Sequence, residues 1–392
     1  MRMGIDACCW SNRRGFGRFT RELVGRMVAE FPQHEYTLVV DDRTAAGSAF
    51  PPGARVEVVR TRKQPTEAAS AESARSPLDL WRMSRATSRL PVDVFFFPAV
   101  YSFYPLLRRI PLVVGFHDAI AETHPNLIFP GWRARTLWGV KTWLARKQAE
   151  RLMTVSASAK ARLAATFGYP ESRIHVVTEG PSDAFRPMED REPIGRVLAR
   201  YHLPAERPLI LYVGGISPHK NLQGLLRAAS LLKDLACHVV IVGDHTHDRF
   251  YGCYDELLSL SRELGLEDRV SFTGFVPNED LVVLYNAATL LVLPSFDEGF
   301  GLPVVEAMAC GLPVAASRRG SLPEVLGSAG ALFDPEQAGE IAAAVRRLLD
   351  DPGEREDLRR EGLKRVRQFS WSAAARQAVR LLEEVGDGSR RP

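Results

Sequence analysis

The chain has 392 residues, 45% of them apolar and 25% charged, with a net charge of +4 at pH 7. That length is too great for one ordinary core and suits two domains. The composition is that of a soluble folded chain, and so weak a positive excess argues for no nucleic-acid partner.

Taken in chain order, short apolar runs alternate with amphipathic stretches. In the first half, strands are expected at 2–7, 36–40, 56–59, 92–97, 112–116, 152–155 and 175–177, with helices at 17–30, 77–89, 132–151 and 157–167. In the second half, strands are expected at 209–213, 238–242, 270–272, 290–293, 313–315 and 331–333, with helices at 221–233, 254–264, 279–286 and 302–310. Helices at 335–350, 353–368 and 371–385 would close the chain, leaving 386–392 as a frayed tail. Strand–helix alternation with continuous Val/Ile/Leu/Phe strands predicts an α/β fold with doubly wound parallel sheets covered on both faces. The charged, Pro-bearing stretch 187–208 reads as the linker, giving domains 1–187 and 188–370. The stretch 61–76 lacks any period and reads as a mobile loop.

Cys8, Cys9, Cys237, Cys253 and Cys310 are odd in number and show no C-x-x-C spacing, which predicts a reducing, cytoplasmic setting without disulfides or a zinc site. Met1-Arg2-Met3-Gly4-Ile5-Asp6 reaches charge too early for a secretory leader. No apolar run approaches the roughly 18 residues of a membrane span.

The densest signal is Pro294–Pro323, PSFDEGFGLPVVEAMACGLPVAASRRGSLP, which follows the strand 290–293. Gly299-Phe300-Gly301 permits a tight turn and close approach to a ligand, and Pro303 suits a first helical turn. Such a helix start aims free N–H groups and the positive dipole end at the C-terminal sheet edge, where a diphosphate fits. Glu298 and Glu306 bracket the turn; carboxylates reject phosphate but accept hydrogen bonds from sugar hydroxyls. The ligand so described is a diphosphate flanked by hydroxylated rings. The simpler reading is a βα turn with two solvated glutamates.

Glu298-x7-Glu306, within E-G-F-G-L-P-x-x-E-A-M-A-C-G-x-P-V, resembles retaining glycosyltransferase family 4, whose fold is GT-B: two Rossmann-like domains facing across a cleft. The resemblance runs through Gly320-Ser321-Leu322-Pro323-Glu324-Val325 and covers 209–369 well. It is looser in the first half, through Gly15-Phe16-Gly17-Arg18-Phe19 and Phe116-His117-Asp118, which look most like the bacterial mannosyltransferase branch that builds surface polysaccharides. The resemblance implies that Glu298 bonds donor-sugar hydroxyls, that Glu306 binds the ribose, and that the N–H groups of Phe300, Gly301 and Leu302 face the sugar and its phosphate, with Gly299 in the same turn. Lys220, in Tyr212-Val213-Gly214-Gly215-Ile216-Ser217-Pro218-His219-Lys220-Asn221, would stabilise the leaving diphosphate as a point charge at a helix start. Gly215 stands where many members carry Arg, so a second cation must come from elsewhere or be absent; His219, Arg18 and Arg318 are the candidates. His117, at the end of a strand, would stand near the reacting sugar, or else serve as a structural hydrogen-bonding residue. Gly15 and Gly17 resemble the glycine loop that approaches the diphosphate, and the backbone around Val276, in Thr273-Gly274-Phe275-Val276-Pro277, would read the base. The first domain is then the acceptor side and the second the donor side, with 371–385 crossing back to the first.

The cluster Asp244-His245-Thr246-His247-Asp248 has no clear ligand geometry, and no D-x-D stands at a strand end, so no metal and no cofactor are expected; the nucleotide sugar is a substrate. The acceptor could be a glycan, a lipid-linked glycan or a small metabolite. In 132–151, Trp132, Trp138 and Trp143 alternate with Arg and Lys; this suits either peripheral contact with an anionic membrane or core packing of the Trp side chains. GDP-mannose is the first donor to consider, with UDP- and dTDP-sugars next. The rivals are a nucleotide-sugar epimerase on the same architecture and a non-catalytic sugar-nucleotide-binding scaffold.

Overall fold

The computed structural model describes residues 1–12, 15–62, 76–129, 131–244 and 253–388. Within them the chain divides into two compact units, 1–179 with 370–392, and 180–369.

In the first unit the strands are β1 (Arg2–Asp6), β2 (Glu35–Asp41), β3 (Ala54–Val59), β4 (Val94–Phe97), β5 (Leu112–Gly115), β6 (Arg151–Thr154) and β7 (Ile174–Val176). They pair in parallel in the order β3-β2-β1-β4-β5-β6-β7. In the second unit they are β8 (Leu209–Val213), β9 (His238–Val242), β10 (Val270–Gly274), β11 (Leu290–Leu293), β12 (Val314–Ser317) and β13 (Gly330–Phe333), again all parallel, in the order β10-β9-β8-β11-β12-β13. Both orders reverse direction once, between β1 and β4 and between β8 and β11. At such a switch point the connections leave on opposite faces and open a crevice beyond the strand ends. The expected doubly wound parallel α/β architecture is therefore present in each unit.

The strands form because their side chains have apolar cover on both sides. Val94–Phe97 and Leu290–Leu293 are buried at every position. In the first unit Phe95, Phe97, Phe103 and Tyr104 pack with Leu112, Val114 and Leu152, and the buried Tyr104 hydroxyl meets Thr87 Oγ1 at 2.8 Å, so the two satisfy each other.

Two expectations are corrected. The stretch 187–208 is not an irregular linker. It holds the helix Glu192–Arg200, whose Val197 and Leu198 are buried, and the units divide earlier, between Glu179 and Gly180. Arg200 and the Tyr201 hydroxyl both bond Asp280, at 2.7 and 2.9 Å, anchoring that helix to Asn278–Ala287. The expected tail is helical as far as Gly388: Trp371–Gly388 packs on Gly15–Glu30 and β4, and Gly386 lies against Met1 and Val94. The loop expected at 61–76 falls mostly on 63–75, outside the described residues, as do 389–392.

Candidate active site

In the second unit the switch point sets the end of β8 beside the end of β11. After β8 the chain makes a 3-10 turn, Pro218–Lys220, and then Asn221 adopts φ +55° to start the helix Leu222–Ser230. Lys220 thus sits in the turn just before the helix. Asn221 holds the arrangement. Its Oδ1 accepts from Gly224 N, and its Nδ2 donates to the carbonyls of Pro294 and Pro335 at 3.1 and 2.6 Å. Phe296 N donates to His219 O at 2.9 Å. These bonds stitch the β8 turn to the β11 turn and place Lys220 Nζ 2.8 Å from each oxygen of Glu298.

Lys220 and Glu298 are 19% and 11% exposed, so their charges act through poorly screened surroundings that still open to solvent. Ser295 Oγ donates to Glu298 Oε1 at 2.6 Å, which fixes the carboxylate's orientation. An ammonium has three donors and Glu298 engages two, leaving one for an anionic oxygen.

The glycine turn is built by close packing. Gly301 has φ +98°, and a Cβ there would stand 2.6 Å from Leu322 Cδ2. Gly320, at φ +63°, lies against the backbone of Glu298. Ser321 Oγ donates to the carbonyls of Glu298 and Phe300 at 3.0 and 2.8 Å, which fixes the peptide planes of Gly299 and Gly301. The helix Leu302–Ala309 follows directly, and its N-terminal N–H groups add positive potential to the same edge. Phe300 and Leu302 are buried, Phe300 against the Phe369 ring at 5.6 Å.

Glu306 lies one turn into that helix, 1% exposed, and accepts from the Tyr285 hydroxyl at 3.0 Å. Burial, and then the charge of Glu306, push the nearby Cys310 thiol up to about 12, so it stays protonated. Around Gly215 a Cβ would meet nothing within 4 Å, so the space for a side chain exists although none is there. The Gly215 carbonyl is instead held by the buried Tyr212 hydroxyl at 2.8 Å. Of the three substitute cations, Arg318 is drawn into pairs with Glu340 and Asp334, at 2.8 and 3.3 Å. Val276 is buried beside the positive-φ Gly274 at the end of β10.

In the first unit Gly15 and Gly17 lie in the first turn of the helix Gly15–Glu30, not in a loop before it as expected. A Cβ at Gly17 would stand 2.2 Å from Asn12 O, so the helix start rests directly on the chain leaving β1; Gly15 is open. His117, just past β5, bonds the Pro98 carbonyl through Nε2 at 2.9 Å and packs edge-on to Phe19. A carbonyl only accepts, so Nε2 carries the hydrogen. Burial lowers His117 to about 4, so the ring is neutral at physiological pH, and Nδ1 lies 3.9 Å from Glu179 Oε1. Gly115 makes room for this: a Cβ there would stand 2.2 Å from Pro98 O.

Ser295, Ser321, Tyr285 and Glu179 were not anticipated. Ser295 and Ser321 lie within the long motif and could have been suspected from it. Tyr285 lies on a helix 21 residues upstream of Glu306 and leaves no local signal. Among the described residues no group of three or more His, Cys, Asp or Glu is placed to hold a metal ion. The cluster at 244–248 lies outside them except for Asp244.

Residues 13–185 match the model of Glycosyltransferase Family 4, and 197–365 match that of Glycosyl transferases group 1. The chain belongs to the family-4 glycosyltransferases. Among its relatives, the O-antigen chain mannosyltransferase B of Escherichia coli is 37% identical over 282 residues, 71% of each chain. A D-inositol 3-phosphate glycosyltransferase of Catenulispora acidiphila is 33% identical over 296 residues, 72% of this chain and 69% of the other. Solved structures agree on the GT-B fold: a sucrose-phosphate synthase from Thermosynechococcus elongatus (TM-score 0.79, 21% identity, 99% and 100% of the two chains) and Anabaena HepE in complex with UDP-glucose (TM-score 0.74, 19% identity, 98% and 100%).

Proposed function

We propose that this glycosyltransferase moves a hexosyl group from a nucleoside-diphosphate sugar, GDP-mannose first among them, to a hydroxyl of a glycan, with retention at the anomeric carbon and without a metal ion. The observation that carries the reading is the Lys220–Glu298–Ser295 cluster beside the Gly301 turn. The cation suits a leaving diphosphate, the carboxylate suits sugar hydroxyls, and the N-terminus of Leu302–Ala309 adds a second source of positive potential where a metal-dependent enzyme would place its ion. We assign donor binding to the second unit, with Glu306 on the ribose and Val276 near the base, and acceptor binding to the first. Mannose rests on the 37% identity to a mannosyltransferase. HepE in complex with UDP-glucose keeps UDP-sugars in the panel.

The acceptor oxygen attacks the anomeric carbon from the face the diphosphate leaves. The C–O bond to the diphosphate breaks, the new glycosidic bond forms, and the departing phosphate oxygen takes the hydroxyl proton. No side chain is alkylated. Lys220 stabilises the charge that builds on the diphosphate, and the neutral His117 accepts or donates hydrogen bonds without changing charge.

The test incubates the protein with GDP-mannose, UDP-glucose, UDP-N-acetylglucosamine, UDP-galactose and dTDP-rhamnose, without acceptor and in chelator. Slow nucleotide release from one donor supports the reading. Release only after a divalent ion is restored contradicts the metal-free chemistry, and inversion in a transferred product contradicts retention. Glu306→Ala is expected to weaken binding of the bare nucleotide about tenfold or more, whereas Glu298→Ala mainly lowers transfer. Equal nucleotide affinity in both variants would remove the ribose assignment.

A further inference from the structure

The helix Trp132–Gln148 carries large apolar side chains on two opposite sides, and among the described residues only one of these sides is covered. Inward, Trp138 donates to Glu122 Oε1 at 2.7 Å, Lys141 Nζ donates to Tyr101 O at 2.7 Å, and Ala145 is fully buried. Outward, Trp132, Leu137, Val140 and Trp143 are 72%, 57%, 53% and 51% exposed. A surface helix ordinarily turns polar residues to water, so four large apolar side chains exposed together on one side mark a surface that a partner covers. The helix contains no Asp or Glu. Its exposed cations are Arg133, Arg135 and Lys147, and the Arg133 guanidinium lies 5.5 Å from the Trp132 ring centre. At its C-terminal end Gln148 exchanges two hydrogen bonds with Leu106, at 2.9 and 3.1 Å. That pair fixes a neighbouring loop whose Leu107 is 63% exposed and whose Arg108 and Arg109 are exposed with it.

We propose that this outer face docks on an anionic lipid bilayer, with the helix lying along the surface. The exposed tryptophans suit the headgroup level, where an apolar ring with one N–H is most at home, and Arg133 and Lys147 among them suit acidic headgroups. A second copy of the chain is a poor occupant: a two-fold contact would bring this acid-free, cationic face against itself. Among the described residues no helix is long and apolar enough to cross a membrane, so the contact is peripheral.

The proposal stands apart from the transfer reaction and is tested without it. The full chain is co-sedimented with vesicles of phosphatidylcholine alone and of phosphatidylcholine with phosphatidylglycerol, at low and high salt. The expected result is binding to the anionic vesicles that weakens with salt. Trp132→Ser/Trp143→Ser and Arg133→Glu/Lys147→Glu are each expected to weaken it by about tenfold or more. All four side chains are exposed, so the thermal midpoint should hold in both variants and report intact folding. Absence of binding to anionic vesicles overturns the proposal, as does binding that both variants retain. Concentration-dependent self-association that Trp132→Ser/Trp143→Ser abolishes also overturns it and assigns the face to a second copy.

Discussion

The C-terminal edges of the two sheets share a topology and differ in chemistry. At the second unit's edge, opposite charges are held together before any ligand arrives: Lys220 and Glu298 at 2.8 Å, oriented by Ser295 and by a turn that glycines and Ser321 leave no room to relax. At the first unit's edge the central residue, His117, is kept neutral by burial, with Phe19 packed edge-on against it and a carbonyl holding its Nε2 hydrogen. Preorganised charge is worth most where charge develops during a reaction, and a neutral hydrogen-bonding surface is enough where a substrate only has to be oriented. The fold supplies two crevices, and the side chains give only the second the preorganised charge that the proposed diphosphate site needs.

The sharpest way to break this comparison is to remove one group from each edge. Lys220→Ala is expected to lower donor turnover about 10²–10³-fold, and His117→Gln, which keeps a neutral hydrogen-bonding group, by no more than about tenfold. Nucleotide release from saturating donor reads both. A His117→Gln loss equal to that of Lys220→Ala would end the division between a charged and an orienting edge.

A smaller effect, on stability, tests what holds the charged edge together. Asn221→Ala removes the helix cap, both bonds to Pro294 and Pro335, and a residue tolerant of φ +55°. It should cost about 2–4 kcal/mol of unfolding free energy in a denaturant titration. Asn221→Gly keeps the backbone conformation and should lose less. Equal losses in the two variants would mean that backbone conformation contributes nothing there.

The smallest effect probes the first unit. Burial, with help from Asp118, pushes the Glu122 carboxyl up to about 7, although the bond from Trp138 opposes this. Its folded value lies above its unfolded one, so the native state binds the proton more tightly. That stabilisation is present below the ordinary carboxylate range and is lost as pH rises through about 7. Glu122→Gln retains an acceptor for Trp138 and cannot ionise. Its stability relative to the parent chain should rise between pH 5 and pH 8, by about 2 kcal/mol at most after allowing for partial exposure. A constant difference across that range would remove Glu122 as the titrating group.

Much of this was legible in the sequence, for physical reasons that differ by element. Leu209–Val213, His238–Val242 and Leu290–Leu293 form where expected because a strand covered on both faces is a run of apolar side chains, and no partner need be known to see it. Glu192–Arg200 was read as a linker because its stability comes from Asp280, eighty residues away, and a short helix with two buried apolar residues has little local pattern. The long motif marked the turn around Glu298, and Ser295 and Ser321 lie inside it. The meeting of Lys220 with Glu298 was not foreseen, because it depends on strand order: the ends of β8 and β11 become neighbours only at the switch point. Tyr285 beside Glu306, and the neutral state of His117, depend on packing that no local pattern encodes. The outer face of Trp132–Gln148 corrects a simpler expectation: Trp138 packs inward, but Trp132 and Trp143 do not.

The helix Trp371–Gly388 also sets an order of events during synthesis. It packs on the chain's first long helix, with Trp371 on Phe19, Ser372 on Glu30 and Glu383 on His34. The first unit is therefore built from both ends of the chain, whereas the second is continuous. On the ribosome the second unit can close as soon as it has emerged, while the first, though made earlier, waits for the last residues before Phe19 and Met1 are covered. A nascent chain stalled before Trp371 should expose the first unit to protease and already protect the second, so that the half translated first is the half completed last.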